Sequence, residues 1–442
     1  MRIAVLGGGL SGLTAAYALQ KAGASVTLFE SSDHLGGRAF TDELDGFRVD
    51  TGAQLVGSMY SRFRKLMAEI GLDLVRVPGR DALWRDGRAH EVVYGSVASM
   101  ATSGGLPFFT KMKLGASYVP FLTRHGRSLD LHAPEKAAAA GLDSETIAAW
   151  GGREMDETFV KALVYPQLGA YYGARPEETS AGFYHILARG GMDVTLFALP
   201  GGMGSAAIRL HETLQQNGAD IRTGVGVERL SLSIDSAAVV AGGSEYQFDA
   251  ALSAVPAPVL LEIAAEIPAD LREWLGAVRY RASFSLALLL DRPVGARYFG
   301  LSFPQGATRY VAAVGIAENK GVPLVPSGKG LLLALPTPES SEALAEMESR
   351  EIVERMLPEI LRAIPGIDKN ILRARVYRWR DGSPIFFPGY LAHLGAFRAG
   401  SVKMHPRLAI AGDYLYAPSV EGAVSSGLDA AASLARRLQL AN

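Results

Sequence analysis

The spacing of apolar and polar positions changes along this chain, and each change marks an element. RIAVLG (residues 2–7) is a short apolar run with β-branched residues and a closing glycine, the pattern of a strand buried on both faces. SGLTAAYALQKAG then sets Leu13, Ala16, Tyr17 and Leu19 at helical spacing and stops at Gly23. SVTLFE returns to a strand pattern. Strand, helix and strand within about thirty residues make a βαβ unit. Near the other end, PRLAIAG predicts a strand over residues 408–411, and an amphipathic helix follows from about Val420. Residues 76–195 read as mostly helical, with SETIAAW and TFVKALVYPQLGAYYG as examples. Residues 279–380 carry strand-like runs, SFSLALLL, TRYVAAVGI, GLLLALP and ILRARVYRW, interrupted by one helix, PESSEALAEMESREIVERMLPEILRAI. There is no internal repeat or low-complexity tail, and KAAAAGLDS is short enough to be helix rather than linker.

Composition narrows the classes. With 442 residues the chain can build two or three domains. Hydrophobic residues at 48%, charged residues at 20% and a formal net charge of -1 describe a soluble globular protein, with no global field to recruit nucleic acid. The absence of cysteine excludes disulfides, thiolate metal sites, cysteine nucleophiles and thioether-linked cofactors. The eight histidines form no HxH or HxxxH pair, so no metal site is expected. No GxSxG elbow stands at a strand end, which argues against hydrolase chemistry. No signal peptide is expected ahead of the first strand, and no run reaches the roughly eighteen apolar residues of a spanning helix, so the expectation is a cytoplasmic protein.

The candidate chemistry begins at the first strand-to-helix turn. Gly7 permits the tight turn, Gly9 lets a pyrophosphate approach the backbone, and Gly12 lets helix and strand pack closely. Leu10 and Ser11 open the helix, whose free N–H groups and positive dipole end suit phosphate. Glu30 closes the second strand, where its carboxylate can accept hydrogen bonds from a ribose hydroxyl. DHLGGR adds a second glycine pair, Gly36 and Gly37, and a cation, Arg38, for the same phosphates.

The strand, GGGLSG, Glu30 and LGGR together resemble the FAD-binding N-terminus of the flavin amine oxidase, protoporphyrinogen oxidase and phytoene desaturase superfamily. The resemblance implies non-covalently bound FAD and assigns further contacts. Gly412 and Asp413 would meet the pyrophosphate and ribityl chain. The helix starting at VEGA, with Val420 and Ala423, would aim its N-terminus at the flavin N1/O2 edge and favour negative charge there. FRVDTGAQLV (residues 47–56), around Gly52 and Ala53, would lie beside the isoalloxazine. LPGGMGSAAIRLHETLQQNGADIRTGVGVERL resembles the second FAD segment, where the backbone near Val227 touches adenine. DAALSAVPAPVLLEI resembles the strand that returns the chain to the substrate region. The implied fold class is α/β, a Rossmann-like FAD domain with an α+β substrate domain built on a mixed or antiparallel sheet. The implied division is discontinuous: residues 1–75, 196–275 and 381–442 for FAD, and residues 76–195 and 276–380 for substrate.

Hydride transfer to flavin N5 needs little from side chains, so no catalytic residue is assigned. YRWRDGSPIFFPGY resembles a protoporphyrinogen oxidase pattern and offers Trp379, Pro384, Phe386, Phe387 and Tyr390 as a flat wall for a planar or polyene substrate. Core packing at a domain junction is the alternative for each ring. LVYPQLGAYYGARPEETSA, with Tyr172, resembles a second wall segment of that branch. The superfamily's amine oxidases place an aromatic ring just before the terminal motif. Here Ser419 holds that position, with Tyr414 and Tyr416 out of register. The function implied is dehydrogenation of a planar or lipophilic small molecule, as in protoporphyrinogen oxidases or carotenoid and squalene-type desaturases, with oxygen or a quinone as acceptor. The rivals are an amine oxidase, a redox-neutral FAD-dependent isomerase or mutase, and a non-catalytic flavin-binding protein. Residues 100–127 combine apolar and basic positions, which suits a peripheral contact with the inner face of a membrane, a mouth for a lipophilic substrate, or a buried helix of the substrate domain. The oligomeric state is left open.

Overall fold

The computed structural model describes residues 1–93 and 95–440. Five parallel strands form one sheet in the order Asp220–Arg222, Ser25–Phe29, Arg2–Leu6, Ala250–Ser253, Leu408–Ile410. Its strands therefore come from three distant parts of the chain. Ile3, Ala4, Val5 and Leu6 are all fully buried, because the sheet is covered on both faces. Ile3 and Val5 share a core with the helices Leu10–Lys21, Ser205–Gln216 and Val420–Arg437. On the other face Phe29 meets Phe248, 6.1 Å between ring centroids, in an antiparallel meander of Val227–Leu232, Ala237–Ala241 and Ser244–Phe248.

The second large sheet has seven strands in the order Ile371–Pro384, Tyr280–Leu290, Gly330–Pro336, Val311–Ile316, Gly300–Ser302, Arg80–Arg85, Arg88–Val93. All its pairings are antiparallel except Gly300–Ser302 with Arg80–Arg85. The interior strand Tyr280–Leu290 carries the apolar run Leu286–Leu290 because both its faces are covered. Phe284, Leu286 and Leu288 share a core with Ile352, Met356 and Ile360, while Ala287 and Leu289 join Phe47 and Val49.

Two expectations need correction here. Residues 80–93 form a hairpin, not helix. Its turn is Asp86-Gly87, with φ of 51° and 76°, the left-handed pair that an Asp-Gly hairpin turn adopts. The single long helix after residue 338 is two helices, Ser341–Ala345 and Ser349–Ala363, separated at Glu348, whose backbone is extended. The remainder of residues 97–191 is largely helical.

Residues 108–124 form a continuous helical rod, Phe108–Lys113, a π-helical turn Leu114–Tyr118, and Val119–Arg124. Thr110, Tyr118 and Leu122 are buried on one side of it, whereas Phe108, Phe109 and Met112 stand 69%, 78% and 55% exposed. The segment is therefore not a wholly buried helix.

A candidate dinucleotide and substrate site

The glycine turn has the geometry its sequence predicts. Gly7 sits at φ 102° and donates its N–H to the Phe29 carbonyl at 2.8 Å. A Cβ on Gly12 would overlap the Gly7 carbonyl oxygen, so only glycine lets the helix start this close to the strand. A Cβ on Gly9 would meet nothing within 4 Å, so the chain is open on that side. Leu10 is buried at 4% and Ser11 at 6%, so what these two present toward the opening is backbone. Ser11 Oγ lies 3.0 Å from Ser426 Oγ, which in turn accepts the Gly412 N–H at 2.9 Å. Glu30 draws the turn together: its carboxylate accepts the Gly8 N–H at 2.6 Å and the Ser32 N–H at 2.8 Å. Gly36 donates to the Gly8 carbonyl at 2.9 Å, and Gly37 lies against Gly9. The two glycine motifs thus form one backbone cradle. Val227 is half-buried at the start of its strand, and nearby Val225 donates its N–H to the Glu30 carbonyl at 2.8 Å.

Beyond the cradle, Arg38 is held by Asp413 in a bidentate pair, both contacts 2.9 Å, and also donates to the Gly382 carbonyl at 3.0 Å. Its charge is therefore fixed by a partner 375 residues away rather than standing free. Ala53 donates its N–H to the Arg38 carbonyl, and a Cβ on Gly52 would overlap that same oxygen. The Trp379 ring edge is 3.5 Å from that Cβ position, and the indole is half-buried. The Tyr280 hydroxyl is buried with no hydrogen-bond partner among the described residues, in the field of Asp413 and Arg38. An open backbone cradle leading to an unpartnered hydroxyl fits a long polar cofactor.

The ring-dense stretch divides sharply. Trp379 is half-buried, but Phe386 is 2% exposed, Tyr390 is fully buried and Pro384 is buried. Phe386 stacks on Phe183 at 4.3 Å, and Tyr390 donates its hydroxyl to the Tyr414 carbonyl at 2.9 Å. The strand ends at Pro384 and the chain turns inward, so these three residues are packed in the interior. Tyr172 is half-buried, and Tyr60 lies near both it and Ser419, with burial pushing its hydroxyl pKa up. Ser419 caps the terminal helix, its hydroxyl accepting the Gly422 N–H at 3.1 Å. Val420 is 6% exposed and Ala423 half-buried in the first turn of that helix. Tyr414 is 1% exposed beneath Gly412, and the Tyr416 hydroxyl is taken by Asp429, so neither ring substitutes for the missing aromatic.

Three polar groupings escaped sequence reasoning. Glu421 is 1% exposed, and its carboxylate accepts the N–H groups of Arg62 and Phe63, at 2.9 and 2.7 Å, and lies 2.5 Å from His132 Nε2. It caps the helix Ser61–Glu69, whose own Tyr60 supplies no side-chain cap. Lys320 and Asp50 are 1% and 2% exposed, 3.7 Å apart, with Gln54 Oε1 3.1 Å from the amine. Burial pushes the lysine down and the aspartate up, each opposed by the other's charge. Ser426, which joins the first turn to Gly412, is the third. No local motif marks any of them, because every partner comes from a different segment.

Residues 10–435 match the family model for flavin-containing amine oxidoreductases. The chain belongs to that family. This flavin-containing amine oxidoreductase is an FAD-dependent oxidoreductase of α/β fold. It is similar to 4,4'-diapolycopen-4-al dehydrogenase of Metabacillus indicus, 26% identical, covering 95% of this chain and 90% of that one. It is also similar to coproporphyrinogen III oxidase of Mycobacterium tuberculosis, 27% identical, covering 98% and 97%. Its fold matches cyclohexylamine oxidase from Brevibacterium oxydans with a TM-score of 0.77, at 19% identity and 99% coverage of both chains.

Proposed function

We propose that this enzyme dehydrogenates a planar or lipophilic small molecule of porphyrinogen or polyene type. One observation carries the reading. Where an amine cage needs a ring, Ser419 is committed to capping a helix, and the nearby tyrosines are buried, while Trp379 presents a half-buried indole beside Gly52. An extended π surface recognises flat or conjugated substrates rather than a small cation. Relatives similar over nearly the whole chain include a coproporphyrinogen oxidase and a carotenoid-type dehydrogenase, which supports the same class.

In this reading residues 1–75, 196–275 and 381–442 hold FAD, and residues 76–195 and 276–380 hold substrate. Gly7, Gly9 and Gly12 with the N–H groups of Leu10 and Ser11 take the pyrophosphate, backed by Gly36, Gly37 and the Arg38–Asp413 pair. Glu30 accepts the ribose hydroxyls in exchange for one of its present backbone contacts. Gly412 takes the ribityl chain, the Val227 backbone flanks adenine, and Gly52 and Ala53 line the isoalloxazine. The N-terminus at Val420 to Ala423 places positive potential at the N1/O2 edge. When bound, FAD would supply the redox chemistry, as hydride acceptor toward the substrate and electron donor toward oxygen or a quinone. Trp379 and Tyr172 orient the substrate and exclude water. FAD is held non-covalently in this reading, since no cysteine exists to form a thioether and no residue marks a histidine linkage.

The test is anaerobic mixing of the holoenzyme with porphyrinogens, carotenoid precursors and amines, read as loss of flavin absorbance. Bleaching by a porphyrinogen or polyene is the expected result. Bleaching by amines alone, or turnover only after prior reduction with no net oxidation, overturns the reading. Acid precipitation of the same preparation should leave the flavin in the supernatant.

A further inference from the structure

The rod of residues 108–124 carries a surface that the proposed reaction does not use. Phe108 and Phe109 pack edge to face, 5.8 Å between centroids, and both rings stand mostly in solvent with Met112 beside them. The adjoining helix Val97–Thr102 has no buried residue, and Val97 is 55% exposed. The inward residues Tyr118 and Leu122 anchor the rod, so the outward set is presented by a fixed scaffold rather than a loose loop. Between Glu91 and Asp130 the sequence contains no acidic residue and four basic ones, Lys111, Lys113, Arg124 and Arg127. Lys111 donates to the Ser103 carbonyl. Lys113 donates to the Met155 carbonyl and lies 3.9 Å from Asp156, the one carboxylate that reaches this set from a neighbouring element among the recorded ion pairs. Exposed large apolar groups of this kind mark a contact surface.

We infer that this face docks on the surface of an anionic lipid bilayer. Aromatic and thioether side chains reach the acyl boundary while the lysines and arginines meet headgroup phosphates. Charge decides the occupant. Two copies of this face brought together would oppose like charges, whereas anionic headgroups complement them. The contact is peripheral, because among the described residues no helix is long and apolar enough to cross a membrane.

The experiment is co-sedimentation of the holoenzyme with substrate-free vesicles, so it stands apart from the substrate assignment. One set is phosphatidylcholine and the other contains roughly a third phosphatidylglycerol. Wild type should bind the anionic vesicles, more weakly at high salt and more weakly to the neutral set. Phe108→Ser/Phe109→Ser should lower partitioning by about tenfold or more. Arg124→Glu/Arg127→Glu should abolish the preference for anionic lipid. All four side chains are exposed, and an unchanged melting temperature verifies the fold of each variant. No binding by wild type, or wild-type binding by the serine variant, overturns the proposal. So does a dimer in analytical ultracentrifugation that the serine variant dissolves while vesicles bind neither protein.

Discussion

Replacing Gly9 with alanine separates cofactor binding from folding. Gly9 has φ -70° and ψ 175°, which alanine adopts without strain, and its Cβ would meet no protein atom within 4 Å. The stability of the apoprotein should therefore stay within about 1 kcal/mol of wild type. The open space is where the pyrophosphate is assigned, so the added methyl competes with a phosphate oxygen. Overpacking by one methyl costs roughly 1–3 kcal/mol, which weakens FAD about 5- to 150-fold. Gly12→Ala is the contrasting control. Its methyl would overlap the Gly7 carbonyl oxygen, forcing helix and strand apart. That variant should lose about 3 kcal/mol or more of apoprotein stability as well as FAD. Apoprotein melting by circular dichroism and FAD titration by quenching of flavin fluorescence measure the two quantities separately. If Gly9→Ala binds FAD as wild type does, the cradle is not the phosphate site.

Trp379→Ala should slow flavin reduction by the true substrate in stopped flow while leaving FAD bound, and should cost less than the roughly 3–5 kcal/mol of a fully buried tryptophan, because the indole is only half-buried. Unchanged reduction kinetics would move the substrate wall to the Tyr172 side. Burial pushes the Asp81 carboxyl up to about 7, opposed by the Ala82 N–H and the Tyr171 hydroxyl. The folded state then holds a proton between pH 3.8 and about 7 that the unfolded chain has released, so stability falls as pH rises through that window, by at most about 4 kcal/mol. Asp81→Asn should melt increasingly above wild type as pH rises from about 4 to 7 and keep that lead at pH 8; parallel pH profiles for the two proteins would show that Asp81 is not protonated in the fold.

The sequence alone determined the features that rest on backbone sterics and nearest neighbours. Gly7, Gly9, Gly12 and Glu30 belong to one βαβ unit, where a tight turn, a close helix packing and an acid at a strand end are local requirements. The interior strands Tyr280–Leu290, Val311–Ile316 and Gly330–Pro336 were legible as apolar runs because burial on both faces leaves no alternation to confuse. The hairpin at Asp86-Gly87 is also encoded locally, in its Asp-Gly turn. Tertiary structure decided everything that depends on which segments meet. Arg38 finds Asp413, Glu421 finds His132 and Lys320 finds Asp50 across hundreds of residues, and no spacing rule encodes such partners. The same holds for facing. Trp379, Phe386 and Tyr390 are equally aromatic in sequence, but the strand ends at Pro384 and sends only the latter two inward. Phe109 and Phe121 sit on one rod, yet only the packing of Tyr118 and Leu122 determines which side of it meets water, because hydrophobicity measures the tendency to be buried and not the direction of the surface that buries it.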